Sequence, residues 1–391
     1  MNFIGTLCLI LVTTTIAGHF ANRMGIPSVI GELVVGILLG PAILNLIKLD
    51  SMVSAFSDIG VIILMFLGGL ESDLGLLRKY LKPAIIVAIS GVVLPVVVMG
   101  FVTWMLGFSI LEALFIGVIF SATSVSISVA VLKQYHALST REGATILGAA
   151  VADDIIGVLL LSLMISLLSS QGINAGSNQP TIVIILIEQV LFFVGAYLLV
   201  KWIAPYLMRL SEKLIVPSSV TIMSIIICLN MAWVANLVGL SGAIGAFFAG
   251  IAIANTPYKT ILADHVEPLG NSIFIPVFFV SVGLNMTLNH FMKNLILIIV
   301  LVVLAGLTKW IGCGLGAKLS GFTNNSSSII GTGMIARGEM GLITAQIGHQ
   351  AGLLNNTDYS AMILVIILVT LISPLLLKKT LNKSDIINEL K

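Results

Sequence analysis

Apolar runs of about 20 residues follow one another along the chain, and short polar breaks separate them. Because a helix needs about 20 apolar residues to cross a bilayer, this pattern predicts an all-α, polytopic membrane protein. We predict about thirteen spans, at residues 3–21, 28–44, 55–72, 81–105, 109–133, 141–169, 180–203, 217–238, 241–256, 269–286, 292–318, 327–352 and 357–379.

Composition narrows the class of protein. Of the 391 residues, 58% are hydrophobic and only 9% are charged, and the mean hydropathy is +1.14. Soluble proteins carry about 25% charged residues. The longest break, at 171–180, and the short C-terminal tail leave no room for a soluble regulatory domain. We therefore expect a single membrane domain over 1–391, surrounded by lipid, with no nucleic-acid partner and no enzyme activity.

Positive charge is distributed unevenly between the two sides of the predicted bundle. Fifteen of the 19 Lys and Arg residues fall in the breaks after odd-numbered spans or in the tail, whereas the other side holds Lys48 and Lys293. Cytoplasmic loops carry the excess of Lys and Arg, so we expect the C-terminus in the cytoplasm and the N-terminus outside. The first basic residue, Arg23, follows the first apolar run, which predicts a retained span and not a signal peptide.

Two adjacent aspartates, Asp153 and Asp154, lie in the middle of the sixth predicted span. One charged side chain at the bilayer centre costs roughly 2.5 to 3.5 kcal/mol even on insertion scales. Only Gly, Ala, Val, Leu and Ile lie close to the pair in sequence. Both carboxylates therefore need a cation, a proton or a buried base as partner, which indicates ion transport.

We group three more charged residues inside spans with this pair: Lys309 in the eleventh span, and Arg337 and Glu339 in the twelfth. Neighbouring residues on a helix point about 100° apart, so two adjacent aspartates cannot both face one partner. We expect one carboxylate to face an ion cavity and the other to pair with Lys309. The alternative, a static salt bridge that joins two helices, leaves the second aspartate unexplained.

The fifth and twelfth spans differ from the others in their polar content. They contain FSATSVSISVA (120–130) and IIGTGMIARGEMGLITA (329–345), which are rich in Ser, Thr and Gly. Such stretches are typical of close helix packing or of helices that unwind inside the membrane. The two spans run in opposite directions, and matching interruptions in antiparallel positions favour inverted repeats with a binding site between them. We expect the breaks near Ser121 and Ser124 in one span, and near Gly333 and Gly338 in the other.

Six segments along the chain form a recognisable set: GIPSVIGELVVGILLGP (25–41), LMFLGGLE (64–71), ATSVS (122–126), GAAVADDIIG (148–157), PVFFVSVGLNM (276–286) and MIARGEMGLITAQIG (334–348). Together they resemble the cation:proton antiporter-2 family, and within it the NapA-type bacterial Na⁺/H⁺ antiporters, including the spore-germination antiporters of Bacillus. The resemblance implies a thirteen-helix antiporter fold, a homodimer, and two crossed broken helices. It also implies a dimer subdomain and a mobile core subdomain, the core at approximately 81–169 and 269–352.

The resemblance also implies roles for the site residues. Asp154 resembles the carboxylate that binds the cation and the proton in turn, and Asp153 resembles its neighbour, which pairs with the membrane lysine, here Lys309. Thr123 matches the broken-helix threonine near the ion. Glu339 matches a position in the second broken helix, where it balances half-helix dipoles together with Lys309.

Two further points follow from the same resemblance. The enterobacterial prototype has an aspartate where this chain has Ser124, so compensation of the positive half-helix ends is an open question. Glu32 and Glu71 belong to family motifs, and we expect packing or gating roles for them.

The function implied is exchange of Na⁺ or Li⁺ for H⁺ across the bacterial cytoplasmic membrane by alternating access, and the Asp-Asp pair predicts electrogenic exchange. No cofactor is expected besides the transported ions, since the three cysteines and five histidines show no metal-ligand spacing. Alternatives are a K⁺/H⁺ or mixed Na⁺/H⁺-K⁺ antiporter and a Na⁺-coupled organic-anion symporter. An intramembrane aspartyl protease does not fit, because adjacent aspartates cannot share a catalytic water symmetrically.

Overall fold

The computed structural model describes residues 3–24, 27–170, 182–254, 256–286, 295–350 and 353–383. The loop predicted at 171–180 and most of the tail lie outside this part. Within this part all regular secondary structure is helical, and no strand occurs. The helices are α1 (Phe3–Arg23), α2 (Ser28–Leu39), α3 (Ser51–Glu71), α4 (Leu74–Lys79), α5 (Leu81–Met105), α6 (Ile110–Ile119), α7 (Val125–Gln134), α8 (Arg141–Ser170), α9 (Ile182–Leu198), α10 (Ala204–Glu212), α11 (Ser219–Leu237), α12 (Gly242–Ala254), α13 (Lys259–Leu269), α14 (Ile275–Leu284), α15 (Leu295–Leu319), α16 (Asn324–Gly333), α17 (Gly338–Gln350) and α18 (Asn356–Lys383).

The helical membrane fold predicted from the apolar runs is confirmed. Each predicted span contains at least one helix, and nine helices in the described part are long and apolar enough to cross a membrane. The tenth span begins earlier than predicted, at Lys259 instead of 269. Its first half is polar, with Asp264 and Glu267, and Pro268 reads as a helix end. A wide π turn at Gly270–Phe274 instead carries the helix past the proline.

The two broken helices are also confirmed. Residues 120–124 separate α6 from α7, and residues 334–337 separate α16 from α17. The two interruptions meet, because the Ser124 amide donates a hydrogen bond of 2.9 Å to the carbonyl oxygen of Ala336. The half-helices therefore cross at their breaks, as inverted repeats require.

Buried apolar side chains hold the bundle together in three clusters. One joins α1, α2, α3 and α14, and a second joins α5, α6, α15 and α18. The largest cluster connects the two groups. Where α3 crosses α12, a Cβ on Gly69 would lie 2.1 Å from the Phe247 carbonyl oxygen, and a Cβ on Gly250 would lie 2.2 Å from that of Phe66. Only glycine allows the two backbones to approach this closely.

Candidate functional site

The aspartate pair lies in the middle of α8, where Asp153 forms a buried ion pair. Its Oδ1 is 2.9 Å from Nζ of Lys309 on α15, and the two side chains are 1% and 0% exposed. The same ammonium donates a 2.6 Å hydrogen bond to the carbonyl oxygen of Ser121, just after α6. Lys309 thus joins three elements: α8, α15 and the first helix break.

A second buried cation contacts the same helix break. Arg337, which is fully buried between α16 and α17, donates from Nη1 to the Ala122 carbonyl oxygen at 3.1 Å and from Nη2 to the Ala305 carbonyl oxygen at 2.7 Å. The last carbonyl groups of a helix lack intrahelical partners and carry partial negative charge. Lys309 and Arg337 therefore satisfy successive carbonyls that follow α6 and balance the negative end of its dipole.

The other three half-helix ends also have contacts from backbone or hydroxyl groups. The Ser128 hydroxyl donates to the carbonyl oxygen of Gly333 at the end of α16. The amide of Ser124, before α7, donates to Ala336. The Gly338 amide at the start of α17 donates to Oγ1 of Thr370 on α18, at 3.1 Å. Backbone and hydroxyl oxygens thus contact the positive helix ends in this chain, where the sequence has Ser124 and no aspartate.

The remaining predicted site residues lie around the same crossing. Thr123 is 2% exposed, and its Oγ1 makes no hydrogen bond to any described residue; the same is true of Oδ2 of Asp153. Gly338 has a φ of +46°, and a Cβ there would lie 2.5 Å from the Ser124 side chain. Glu339 is the second residue of α17, and its side chain lies outside the described part.

A cavity of about 910 Å³ leads to the two aspartates from one face of the bundle. We call this the cavity face; it carries the connections at 40–50 and 238–241, and Leu49 and Gly239 from these connections line the cavity. Four acidic residues line the cavity: Asp58, Asp153, Asp154 and Glu188. No Lys, Arg or His is among the described lining residues. The field inside therefore attracts cations and repels anions.

Sequence reasoning missed three residues of the site: Asp58 and Glu188, which line the cavity, and Thr370, which accepts a hydrogen bond from Gly338. Asp58 and Glu188 each lie inside a predicted apolar span, which is a signal that could have identified them. Thr370 gives no such signal, since a threonine in an apolar helix usually bonds its own backbone.

Comparison with known proteins identifies the family. A model of the family described as "Sodium/hydrogen exchanger, transmembrane" matches residues 8–383. The chain belongs to this family. The exchanger is 52% identical over 382 residues to the Na(+)/H(+) antiporter of Enterococcus hirae, covering 97% of this chain and 98% of that one. It is 42% identical over 385 residues to the Na(+)/H(+)-K(+) antiporter GerN of Bacillus cereus, covering 98% and 97%.

A solved structure supports the fold of the exchanger. The sodium proton antiporter MjNhaP1 from Methanocaldococcus jannaschii, at pH 8, matches with a TM-score of 0.63 and 18% identity, over 95% of each chain. The chain is thus a multi-pass membrane protein with an antiporter fold, and its family consists of transporters.

In the exchanger, Thr370→Val is expected to destabilise the helix crossing. Valine keeps the shape of threonine but leaves the buried Gly338 amide without an acceptor, which costs about 1–3 kcal/mol. Thermal unfolding of the purified protein in detergent measures this loss. Thr370→Ser, which keeps the hydroxyl, is the matched control. Equal unfolding temperatures for the two variants would show that the Gly338–Thr370 bond contributes nothing.

Proposed function

We propose that this exchanger moves Na⁺ or Li⁺ in exchange for H⁺ across the bacterial cytoplasmic membrane by alternating access. One observation carries the proposal: two adjacent carboxylates line an acidic cavity at membrane depth, and one of them is paired with a buried lysine. The relative from Enterococcus hirae, named a Na(+)/H(+) antiporter, supports the choice of ions.

The ion ligands we propose are oxygen atoms of Asp154, Asp153 and Thr123, completed by water. Small hard cations prefer oxygen ligands, and a carboxylate also accepts a proton. Oδ2 of Asp153 and Oγ1 of Thr123 are buried and make no hydrogen bond within the described part of the chain, and both atoms carry lone pairs that can coordinate a cation. Both aspartates line the cavity, but Asp153 is paired with Lys309, so we assign to Asp154 the role of binding Na⁺ and H⁺ in turn.

Lys309 would couple Na⁺ transport to the movement of a second proton. A cation on the carboxylates weakens the attraction between Asp153 and the ammonium, which then releases its proton into the cavity. When Na⁺ leaves, Lys309 takes up a proton and re-forms the 2.9 Å pair. Two protons exchanged for one Na⁺ would carry one net charge per cycle, so the transport would be electrogenic.

We further propose that the protein is a NapA-type member of the cation:proton antiporter-2 family and works as a homodimer. The core subdomain, approximately 81–169 and 269–352, would move against the helices outside it. The separate apolar clusters of α1–α3 with α14 and of α5, α6, α15 and α18 support part of this division. Two helices depart from it: α14 packs with helices outside the core, and α18, which lies outside the core, packs with core helices. The uneven distribution of Lys and Arg supports an outside N-terminus and a cytoplasmic C-terminus.

A second candidate is K⁺/H⁺ or mixed exchange. The relative from Bacillus cereus, at 42% identity, is named a Na(+)/H(+)-K(+) antiporter, so this family of sequences includes a protein that takes K⁺. A Na⁺-coupled symporter of organic anions is less well supported, because four carboxylates line the cavity and would repel an anion.

Proton flux in proteoliposomes with a trapped pH dye tests the proposal. Pulses of Na⁺, Li⁺, K⁺ and choline are compared at zero membrane potential. We expect Na⁺ and Li⁺ to drive proton movement and choline to drive none. A response to K⁺ as strong as that to Na⁺ would favour the mixed exchanger, and no response to any of the three metal ions would overturn the proposal.

A further inference from the structure

The face opposite the cavity face carries a cluster of ion pairs between helices. Nζ of Lys133, in the last turn of α7, lies 2.7 Å from Oε1 of Glu71, the last residue of α3. The same Nζ lies 3.0 Å from Oε1 of Glu267 on α13. We call Lys133, Glu71 and Glu267 the gate cluster. The lysine side chain is 15% exposed and the two glutamates 36% and 37%, so water reaches the cluster from this face.

Two more side-chain hydrogen bonds surround the gate cluster. The Ser139 hydroxyl, just beyond α7, donates to the Glu71 carbonyl oxygen at 3.0 Å. The Gln134 amide donates to Oδ1 of Asn22 at 3.2 Å. The end of the first broken helix is thus tied by polar side chains to α1, α3 and α13.

A second cavity of about 560 Å³ lies beneath the gate cluster. Glu71, Lys133 and Glu267 line it, together with Glu32 and Ala130, but neither Asp153 nor Asp154 does. The helices α3 and α14 line both cavities, with Ser57 and Asn285 in the first and Leu64 and Ile275 in the second. The two cavities therefore lie one behind the other, on opposite sides of a closed layer.

Tight packing of α7 against α3 forms part of that closed layer. A Cβ on Gly68 would lie 2.8 Å from Cγ1 of Val129, and Val129 and Leu67 are almost completely buried. Movement of α7 away from α3 would open this part of the layer between the second cavity and the aspartates. That movement separates Lys133 from Glu71.

We propose that Lys133 is a gating residue of the transport cycle. Its pairs with Glu71 and Glu267 hold the state in which the aspartates are open to the cavity face, and they break each time the opposite face opens. This gating role depends on the proposed alternating-access function. A residue that biases two states shifts their populations in opposite directions, so its removal must change access at both faces.

Cysteine labelling at the two faces tests the gate. The background is Cys8→Ser, because Cys8 is exposed while Cys228 and Cys313 are buried. The reporters are Ala130→Cys, in the second cavity, and Ser54→Cys, in the first. In membrane vesicles of each orientation, an impermeant maleimide measures how fast each reporter reacts. Because two partly exposed ion pairs are lost, we expect Lys133→Gln to raise the labelling rate of Ala130→Cys about three- to ten-fold and to lower that of Ser54→Cys.

Two variants serve as controls. Lys259→Gln removes a lysine from the same side of the bundle that forms no ion pair with any described residue, and it is expected to change neither rate. The charge-reversed variant, with Lys133→Glu, Glu71→Lys and Glu267→Lys together, is expected to restore wild-type labelling. If Lys133→Gln does not fold, Glu71→Gln combined with Glu267→Gln removes the same pairs.

Unchanged labelling in Lys133→Gln and in the Glu71→Gln, Glu267→Gln double variant, or a change at only one face, would overturn the proposal that Lys133 is a gating residue. Labelling does not depend on which ion is carried. Failure of the gating proposal is therefore distinguishable from failure of the proposed function. The latter would appear as absent cation-driven flux in the unmodified protein.

Discussion

Asp154→Asn is expected to abolish Na⁺-driven proton flux. Asparagine keeps the size of the side chain that lines the cavity, but it can neither take up a proton nor offer a negative charge. At about 4 Å and an effective dielectric constant of about 20, a carboxylate attracts a cation by about 4 kcal/mol. Losing that attraction weakens Na⁺ binding on the order of 100-fold or more, and the proton site disappears with it. The trapped-dye assay measures the result directly.

Glu188→Gln is the matched control for this variant. Glu188 lines the same cavity on α9, a helix outside the crossing, and we propose no proton-carrying role for it. Its loss should raise the Na⁺ concentration for half-maximal flux by no more than about 3-fold, as expected for a partly solvated charge. Wild-type flux in Asp154→Asn would mean that Asp153 alone binds the ion, and the proposed division between the two carboxylates would be wrong.

The fold was largely predictable because the bilayer constrains it so strongly. A backbone that cannot bond to water must form helices, so runs of apolar residues locate spans reliably. The error in the tenth span has a physical cause. Its first half contains the polar residues Asp264 and Glu267 and a proline, Pro268, and this composition is typical of a loop. Sequence patterns do not show that a π turn lets a helix continue past proline.

Site residues could be predicted from the sequence only where the residue type is itself energetically unfavourable inside a membrane. Asp153, Asp154 and Lys309 are conspicuous because charge inside a membrane needs a partner. The contacts of Lys309 with Ser121 and of Arg337 with Ala122 are different, because they join residues far apart in sequence through backbone carbonyls. Carbonyl groups are identical at every position, so no residue type indicates which of them a buried cation will contact.

The gate cluster falls between these two cases. Glu71 belongs to a motif for which we expected packing or gating, whereas Lys133 and Glu267 lie at helix ends, where charge is common and gives no signal. Only the three-dimensional arrangement brings the three side chains together.

Asp153→Asn is expected to make exchange insensitive to voltage. The proposed exchange moves one net charge per cycle, and such a charge responds by about 2.3 kcal/mol per 100 mV, which would change the Na⁺ gradient at equilibrium about 50-fold. Without Asp153, the buried Lys309 loses its carboxylate partner, and an ammonium buried without a counter-charge is neutralised. Only the proton on Asp154 is then exchanged for Na⁺, and no net charge moves. Flux measured at zero and at a fixed membrane potential distinguishes the two cases.

Asp58→Asn is the matched control for the voltage response. It removes a carboxylate from the same cavity but leaves the Asp153–Lys309 pair intact, so the response to voltage should remain. If Asp153→Asn responded to voltage as strongly as the unmodified protein, the second charge would not pass through Lys309. The buried pair would then be a static salt bridge between α8 and α15. This is the alternative considered from the sequence, where it left the second aspartate unexplained.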